Sequence, residues 1–311
     1  MSNSKIKKSE SQNIPTFQEI MQSLQNYWAG LGCVMLPSFD QEIGAGTLSP
    51  YTALHAITED KFSVCYVQIS SRPTDARFGQ DSNRSSSYYQ FQVLLKPMED
   101  FGNIQNLFLK SLSQIGVELP LHDIKFVEDD WKNESIGAYG LGYEVWYDGM
   151  EIAQFTYMQA IGGIDCAIVS CELTYGLERI AMCLQNKNSI FDIIYTNKPD
   201  GSKILYSDIH TRQEEVQRSK YNSYYSSDTK ELRLRIDKDI TEGLKMLDDT
   251  INPMVLPAYR KCLFAGHNLN LLDARNAISP NERRDIILQI RKLCQKCTLT
   301  HIKDKKQRKI K

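Results

Sequence analysis

Three arginines, Arg72, Arg77 and Arg84, stand in one polar run, SSRPTDARFGQDSNRSSSYYQFQV, which closes on Tyr88, Gln90 and Gln92 alternating with Tyr89, Phe91 and Val93. A guanidinium offers a planar fork of donors that matches phosphate oxygens two at a time. Strand alternation puts Tyr89, Phe91, Val93 and Leu95 on a core face and Tyr88, Gln90 and Gln92 on the other. Amides turned inward are costly unless something bonds them. The polar run spans about seventeen residues, and connections that long without structure of their own are functional or disordered as a rule. These residue types suit a nucleotide, with phosphates on the loop and a base on Tyr88. A solvated sheet face is the bland alternative that the same residues allow.

A second constellation is CELTYGLER, Cys171 to Arg179. Glu172 and Thr174 share one strand face, so an acid and a hydroxyl project the same way. Arg179 falls in the first turn of the following helix, where the dipole disfavours a cation, and off the apolar stripe of Leu177, Ile180, Ala181 and Leu184. An anion held near that helix end would remove the objection. A surface arginine is the plainer reading.

The elements that must position these groups follow from local signals. Thr16 and Glu19 form a capping-box pattern ahead of Phe17, Ile20, Met21, Leu24, Tyr27 and Leu31 at helical spacing, with Gly32 as the stop. Residues 62–70 and 88–95 read as strands flanking the arginine loop, and 103–115 as an amphipathic helix. Segments 143–147 and 150–158 flank Asp148-Gly149, a strong hairpin signal. Residues 168–174 form a further strand running into the helix of Arg179. Hairpins with helices on one side indicate an α+β fold with an antiparallel sheet. From residue 207 the pattern is helical, and Ser279-Pro280-Asn281-Glu282 opens a capped helix. The expected organisation is a polar extension over 1–15, an α+β domain over 16–198, a helical domain over 199–302 and a solvated basic tail over 303–311.

Composition removes whole classes of function. With 37 Lys+Arg against 38 Asp+Glu, the net charge of -1 is wrong for a chain gripping nucleic acid over a broad basic face. No apolar run approaches a membrane span and the start lacks a signal-peptide core. The eight scattered cysteines then read as reduced thiols, which points to the cytoplasm. Cys294 and Cys297 make a single CxxC without a second pair, so two free thiols, and no zinc site, are expected. Gly44-Ala45-Gly46-Thr47 matches neither glycine-rich nucleotide fingerprint.

The motifs RPTDARFG, YYQFQV, FVEDDW, GAYGLGYEVW, DGME, QFTYMQ, ELTYGLERIAM, LPAY and LLDARNAIS occur in order over about residues 16–300. Together they resemble the alpha subunit of bacterial glycyl-tRNA synthetase, a class II aminoacyl-tRNA synthetase. The resemblance implies a class II antiparallel catalytic sheet with flanking helices and a C-terminal all-helical region. It implies ATP and Mg²⁺, formation of glycyl-adenylate, and charging of tRNA(Gly) with a separate beta subunit that carries most of the tRNA binding. An alpha–alpha homodimer within an α2β2 tetramer belongs to the same expectation.

Carried onto this chain, Arg72 and Arg77 would hold ATP phosphates with Arg84 beside them, and Arg179 and Tyr88 would sandwich the adenine. Glu178 belongs to the same ATP-binding set, or serves its helix N-terminus. Gln90, Gln92, Glu172 and Thr174 would line the glycine pocket. Gln154 and Thr156 would join them, on a hairpin face expected to carry Tyr143 and Val145 as well. Glu172 would take the ammonium, and Tyr139, Tyr143 or Trp146 would wall off larger amino acids. Glu128, Asp129 and Asp130 invite a metal but read as a solvated acidic turn, so the metal ligands are left unassigned. The chain departs from the family pattern at Ser71, where the family has arginine, at QDSNR in the loop, and at Tyr139 and Tyr143, which replace tryptophans. Those departures motivate an alternative, a non-catalytic nucleotide or amino-acid binding regulator. Composition alone allows a third reading, an α+β scaffold with a helical interaction domain.

Overall fold

The computed structural model describes residues 14–75, 77–225, 228–249 and 251–310; residues 1–13, most of the expected N-terminal extension, lie outside them. Helix α1 (Phe17–Gly30) begins where the sequence places it. Thr16 Oγ1 accepts the Glu19 N–H at 3.2 Å, and Glu19 Oε2 accepts the Thr16 N–H at 2.8 Å. Its buried stripe is Phe17, Ile20, Leu24 and Trp28, and Gly32 follows at φ 95°.

Strands β1 (Val34–Met35), β2 (Val64–Ser71), β3 (Ser87–Leu95), β4 (Ile124–Glu128), β5 (Trp131–Asn133), β6 (Ala138–Tyr147), β7 (Met150–Ile161) and β8 (Ile164–Gly176) build one sheet. Its order is β1-β2-β3-β8-β7-β6-β4, with β5 also on β6. The pairs are antiparallel except the short β1–β2 contact. The hairpin between β6 and β7 turns at Asp148 (φ 46°) and Gly149 (φ 86°), two successive left-handed residues as a tight hairpin requires.

Register sorts the two faces. Phe91, Val93, Leu173, Tyr175, Phe155 and Val145 meet in one core under α1, α3 (Ile104–Gln114) and α4 (Leu177–Leu184). On the opposite face, Gln92, Thr174, Gln154 and Glu144 form a row across four strands, and Glu172 opposes Thr156 beside it. The sequence reading placed Tyr143 and Val145 with Gln154 and Thr156. The register corrects this: Tyr143 opposes Phe155 and Val145 opposes Ala153, so both aromatic and valine turn to the core. Side chains alternate strictly, and one miscounted position reverses the face.

Beyond β9 (Ile194–Asn197) and β10 (Lys203–Leu205) come α5 (Tyr206–Ile209), α6 (Arg212–Lys220), α7 (Thr229–Met246), α8 (Val255–Ala274) and α9 (Pro280–Ile310). A second core joins α7, α8 and α9 to α2 (Pro50–Ala56), to Ile136 in the β5–β6 turn and to sheet residues Ala138, Met158 and Ile161. The basic stretch from 303 onward was expected as a solvated tail. Through Ile310 it is the last part of α9, and Lys305 and Lys306 pair with Asp60 and Glu59 at 3.3 and 3.4 Å.

Candidate active site

A cavity of about 320 Å³ opens over the middle of the polar sheet face. Eight of the residues singled out from sequence line it: Arg72, Arg84, Tyr88, Gln90, Gln154, Thr174, Glu178 and Arg179. They come from the arginine loop, β3, β7, β8 and the start of α4, so segments some eighty positions apart meet at one hollow.

Gln92, Thr156 and Glu172 do not line this cavity; they continue the same polar sheet face beside it as a floor closed to water. Gln92 is 0% exposed and Glu172 1%. The Gln92 amide donates to Glu172 Oε1, while Gln92 Oε1 and Glu172 Oε2 are buried without a hydrogen-bond partner. Thr156 is buried beside them, opposite Glu172. Gln90 is also buried, and its Oε1 accepts the Gly46 N–H at 2.9 Å and the Ser70 hydroxyl at 2.6 Å. Both donors occupy its carbonyl, so the amide donors are the end left for the cavity. Burial pushes the Glu172 carboxyl up to about 7, with Thr47 and Gln92 pulling the other way. A buried acid with an unpartnered oxygen is a group that an incoming donor would satisfy.

The backbone at Gly46 seals this floor. A Cβ there would lie 2.3 Å from Gln92 Cγ, so only glycine permits the approach. Tyr66 donates to the Gly46 carbonyl at 3.1 Å, and Tyr259 of α8 holds the Leu48 carbonyl at 2.9 Å. Sequence reasoning dismissed Gly44–Thr47 for lacking a phosphate-loop pattern. The spaced glycines were a signal all the same, of close backbone approach and not of phosphate.

The cationic groups differ from expectation in their partners. Arg179 donates to Glu151 Oε2 at 2.8 Å and to the Glu151 carbonyl at 3.1 Å. The anion that the helix end called for is therefore a carboxylate of β7, which the sequence reading missed although it stands in the quoted DGME. Tyr88 faces the cavity with its hydroxyl buried and unpartnered. The Arg72 guanidinium lies over its ring, at 5.2 Å. Arg72 also donates to the Gly44 carbonyl at 2.8 Å, which ties the arginine loop to the Gly46 segment.

Other assignments shift. Arg77 is exposed, donates to the Thr74 carbonyl at 3.1 Å and is not among the residues lining the cavity. Glu178 reaches the cavity wall, but its Oε1 accepts from the Tyr89 N–H at 2.8 Å and the Tyr206 hydroxyl at 2.9 Å. It fastens β3 to α5, and burial raises its carboxyl to about 7. Tyr139, Tyr143 and Trp146 do not line the cavity; Tyr143 faces the core and Trp146 donates to Glu144 at 2.9 Å. Ser71 opposes Ser87 on the face away from Ser70 and Tyr88, and lines a separate hollow with Arg218 of α6. A residue at 71 thus points away from the phosphate region assigned to it.

For the implied magnesium, the described residues hold no group of three or more His, Cys, Asp or Glu that could bind a metal ion. Asp129, in the acidic turn, has its Oδ2 taken by the Gln154 amide at 2.7 Å. The described residues therefore offer no preformed cage.

A mostly antiparallel sheet with a polar cavity on its central strands, an arginine loop over it and an arginine at a strand-to-helix junction is the arrangement of a class II aminoacyl-tRNA synthetase. The family model of the glycyl-tRNA synthetase alpha subunit matches residues 17–306, and the chain belongs to that family. Similar solved structures include two of pyrrolysyl-tRNA synthetase from Desulfitobacterium hafniense. One is 12% identical and the other 11%; each covers 62% of this chain and 78% of that chain, with TM-scores of 0.41 and 0.40. Membership sets the chain among the ligases of protein biosynthesis, and an alpha subunit implies a beta chain as its partner. No helix among the described residues is long and apolar enough to cross a membrane.

Proposed function

We propose that the cavity binds ATP and glycine and joins them as glycyl-adenylate, and that the chain then charges tRNA(Gly) together with a beta subunit. The observation that carries this reading is the convergence of Arg72, Arg84, Tyr88 and Arg179 with Gln90, Gln154 and Thr174 on one cavity of about 320 Å³, beside buried Gln92 and Glu172 on the same sheet face. The volume suits a ligand of nucleotide class.

Glycine offers only an ammonium and a carboxylate for recognition. Glu172, aided by the amide oxygen of Gln92, takes the ammonium, and the Gln90 amide and Thr174 hydroxyl orient the rest. The base lies on Tyr88, and Arg72, Arg84 and Arg179 neutralise the phosphates. The glycine carboxylate attacks the α-phosphorus, a carboxylate O–P bond forms, and the bond to pyrophosphate breaks. No protein nucleophile is needed; the chain supplies position and charge neutralisation. In the second step a ribose hydroxyl of the tRNA attacks the activated carbonyl and AMP leaves. Without a preformed cage, Mg²⁺ would come with the nucleotide phosphates, as that ion commonly does. We further assign an alpha–alpha homodimer within an α2β2 tetramer, tRNA held mainly by the beta chain, and a cytoplasmic setting.

The test is glycine-dependent exchange of labelled pyrophosphate into ATP by the purified complex of this chain with its beta subunit. Exchange is expected; its absence in a well-folded complex that still binds ATP would leave the regulator reading in its place. The orientation of Ser71 away from the cavity removes one argument for that alternative.

A further inference from the structure

We propose that Glu215 is a positioning residue for the arginine loop, holding Arg84 and Tyr88 over the cavity through a clamp built into α6. This rests on the reading of the cavity as an ATP site. Glu215 is 6% exposed, and its charge is met by hydroxyl and amide donors from the returning limb of the loop. Its Oε1 accepts the Ser86 N–H at 2.9 Å, and its Oε2 accepts the hydroxyls of Ser85 at 2.9 Å and Ser86 at 3.0 Å. One turn on, Ser219 donates to Glu215 Oε1 at 3.3 Å while its own oxygen accepts the Phe78 N–H of the outgoing limb at 3.1 Å. Arg212, one turn earlier, donates to the Gly79 carbonyl and lies 4.4 Å over the Phe191 ring.

Both limbs of the loop are thus fixed to one helix, at 78–79 and at 85–86. Arg84 is adjacent to the second anchor and Tyr88 lies two residues beyond it. A buried carboxylate stripped of its donors is expensive, so helix and loop hold each other in one geometry. Ser85 lines the cavity wall, but Glu215, Ser86 and Ser219 are not among its lining residues. The effect of Glu215 on chemistry passes through Arg84 and Tyr88. The helical half of the chain, in this view, sets the phosphate grip of the sheet half.

The test uses the full chain with its beta subunit. Glu215→Ala should raise the KM for ATP about tenfold in pyrophosphate exchange, since small displacements of positioning groups cost that much or more, with the KM for glycine changed less than twofold. Hydrogen exchange at residues 77–88 should quicken while the sheet core stays protected. Should Glu215→Ala not fold, Ser86→Ala combined with Ser219→Ala removes two clamp hydroxyls that do not line the cavity, and should give the same selective rise. A purely structural role predicts fewer active molecules with both KM values unchanged, and that result overturns the proposal. So does unaltered exchange at 77–88. If the unmodified complex shows no glycine-dependent exchange of pyrophosphate, the assigned chemistry fails; the ATP dissociation constant then takes the place of KM, and an unchanged constant refutes the clamp.

Discussion

Arg179, at the cavity, and Glu172, closed off beside it, occupy opposite electrostatic situations. Arg179 is charged and already paired with Glu151, both about one-third exposed. An ion pair at that exposure contributes under about 1 kcal/mol to stability. Arg179→Ala should therefore leave the melting temperature nearly unchanged while lowering ATP-dependent exchange by about 100-fold, the scale on which charge-stabilising donors act. A collapse of folding with normal specific activity would contradict that role. Glu172 holds its proton to higher pH: burial puts its carboxyl at about 7 in the folded chain, against about 4.3 when unfolded. The folded state then binds more protons than the unfolded one between those values, so this group's contribution to stability is complete below about 4.3 and declines as pH rises towards about 7. An ammonium arriving beside the carboxyl favours ionisation. Binding of glycine near pH 6.5 should release a proton, seen by calorimetry as a heat that varies with buffer ionisation enthalpy. Glu172→Gln should abolish the release and raise the glycine KM more than the ATP KM; equal effects on both would remove Glu172 from the amino-acid pocket.

Strand pairing decides which of these groups can meet, and it leaves little slack between β6 and β7. A Cβ on Gly142 would stand 2.0 Å from the Phe155 carbonyl oxygen, a backbone atom that cannot rotate aside. Gly142→Ala should cost about 3 kcal/mol by denaturant titration and disturb Thr156, its partner in register. Gly266 in α8 gives the contrast, since nothing lies within 4 Å of its added carbon. Gly266→Ala should stabilise by about 0.8 kcal/mol through helix propensity and the unfolded chain; destabilisation there would show an unrecognised contact. Much of this level was legible in advance. The capping box at Thr16, the turn at Asp148-Gly149 and the alternation over Tyr88 to Val93 are local signals, and each stands where its residues put it. The convergence of Gln90, Thr174 and Arg179 followed from matching motifs. Illegible were the contacts made across the chain. Nothing near Arg179 in sequence announces Glu151, and nothing in the arginine loop announces Glu215, because such pairings depend on strand register and helix docking.

At the scale of the molecule, the change of character near residue 198 does not separate two cores. The second core draws Ala138, Met158 and Ile161 from the sheet and Ile136 from the β5–β6 turn, as well as the buried faces of α7, α8 and α9. The turn between β7 and β8 is pressed on α9 closely enough that a Cβ on Gly162 would meet the Gln295 backbone at 3.0 Å. Tyr259 of α8 holds the segment that covers Gln92, and α6 holds the arginine loop. Sheet and helices thus share apolar surface, and the helices hold both the segment over Gln92 and the arginine loop. Burial of that shared surface is favourable only while both parts are folded, so unfolding of one should carry the other. The chain should lose far-ultraviolet and tyrosine signals in one coincident transition, and a fragment ending at 198 should neither reach native melting behaviour nor bind ATP. Two separated transitions, with the first confined to residues beyond 198 by hydrogen exchange, would mean that the sheet folds alone and that the helices are an accessory to it.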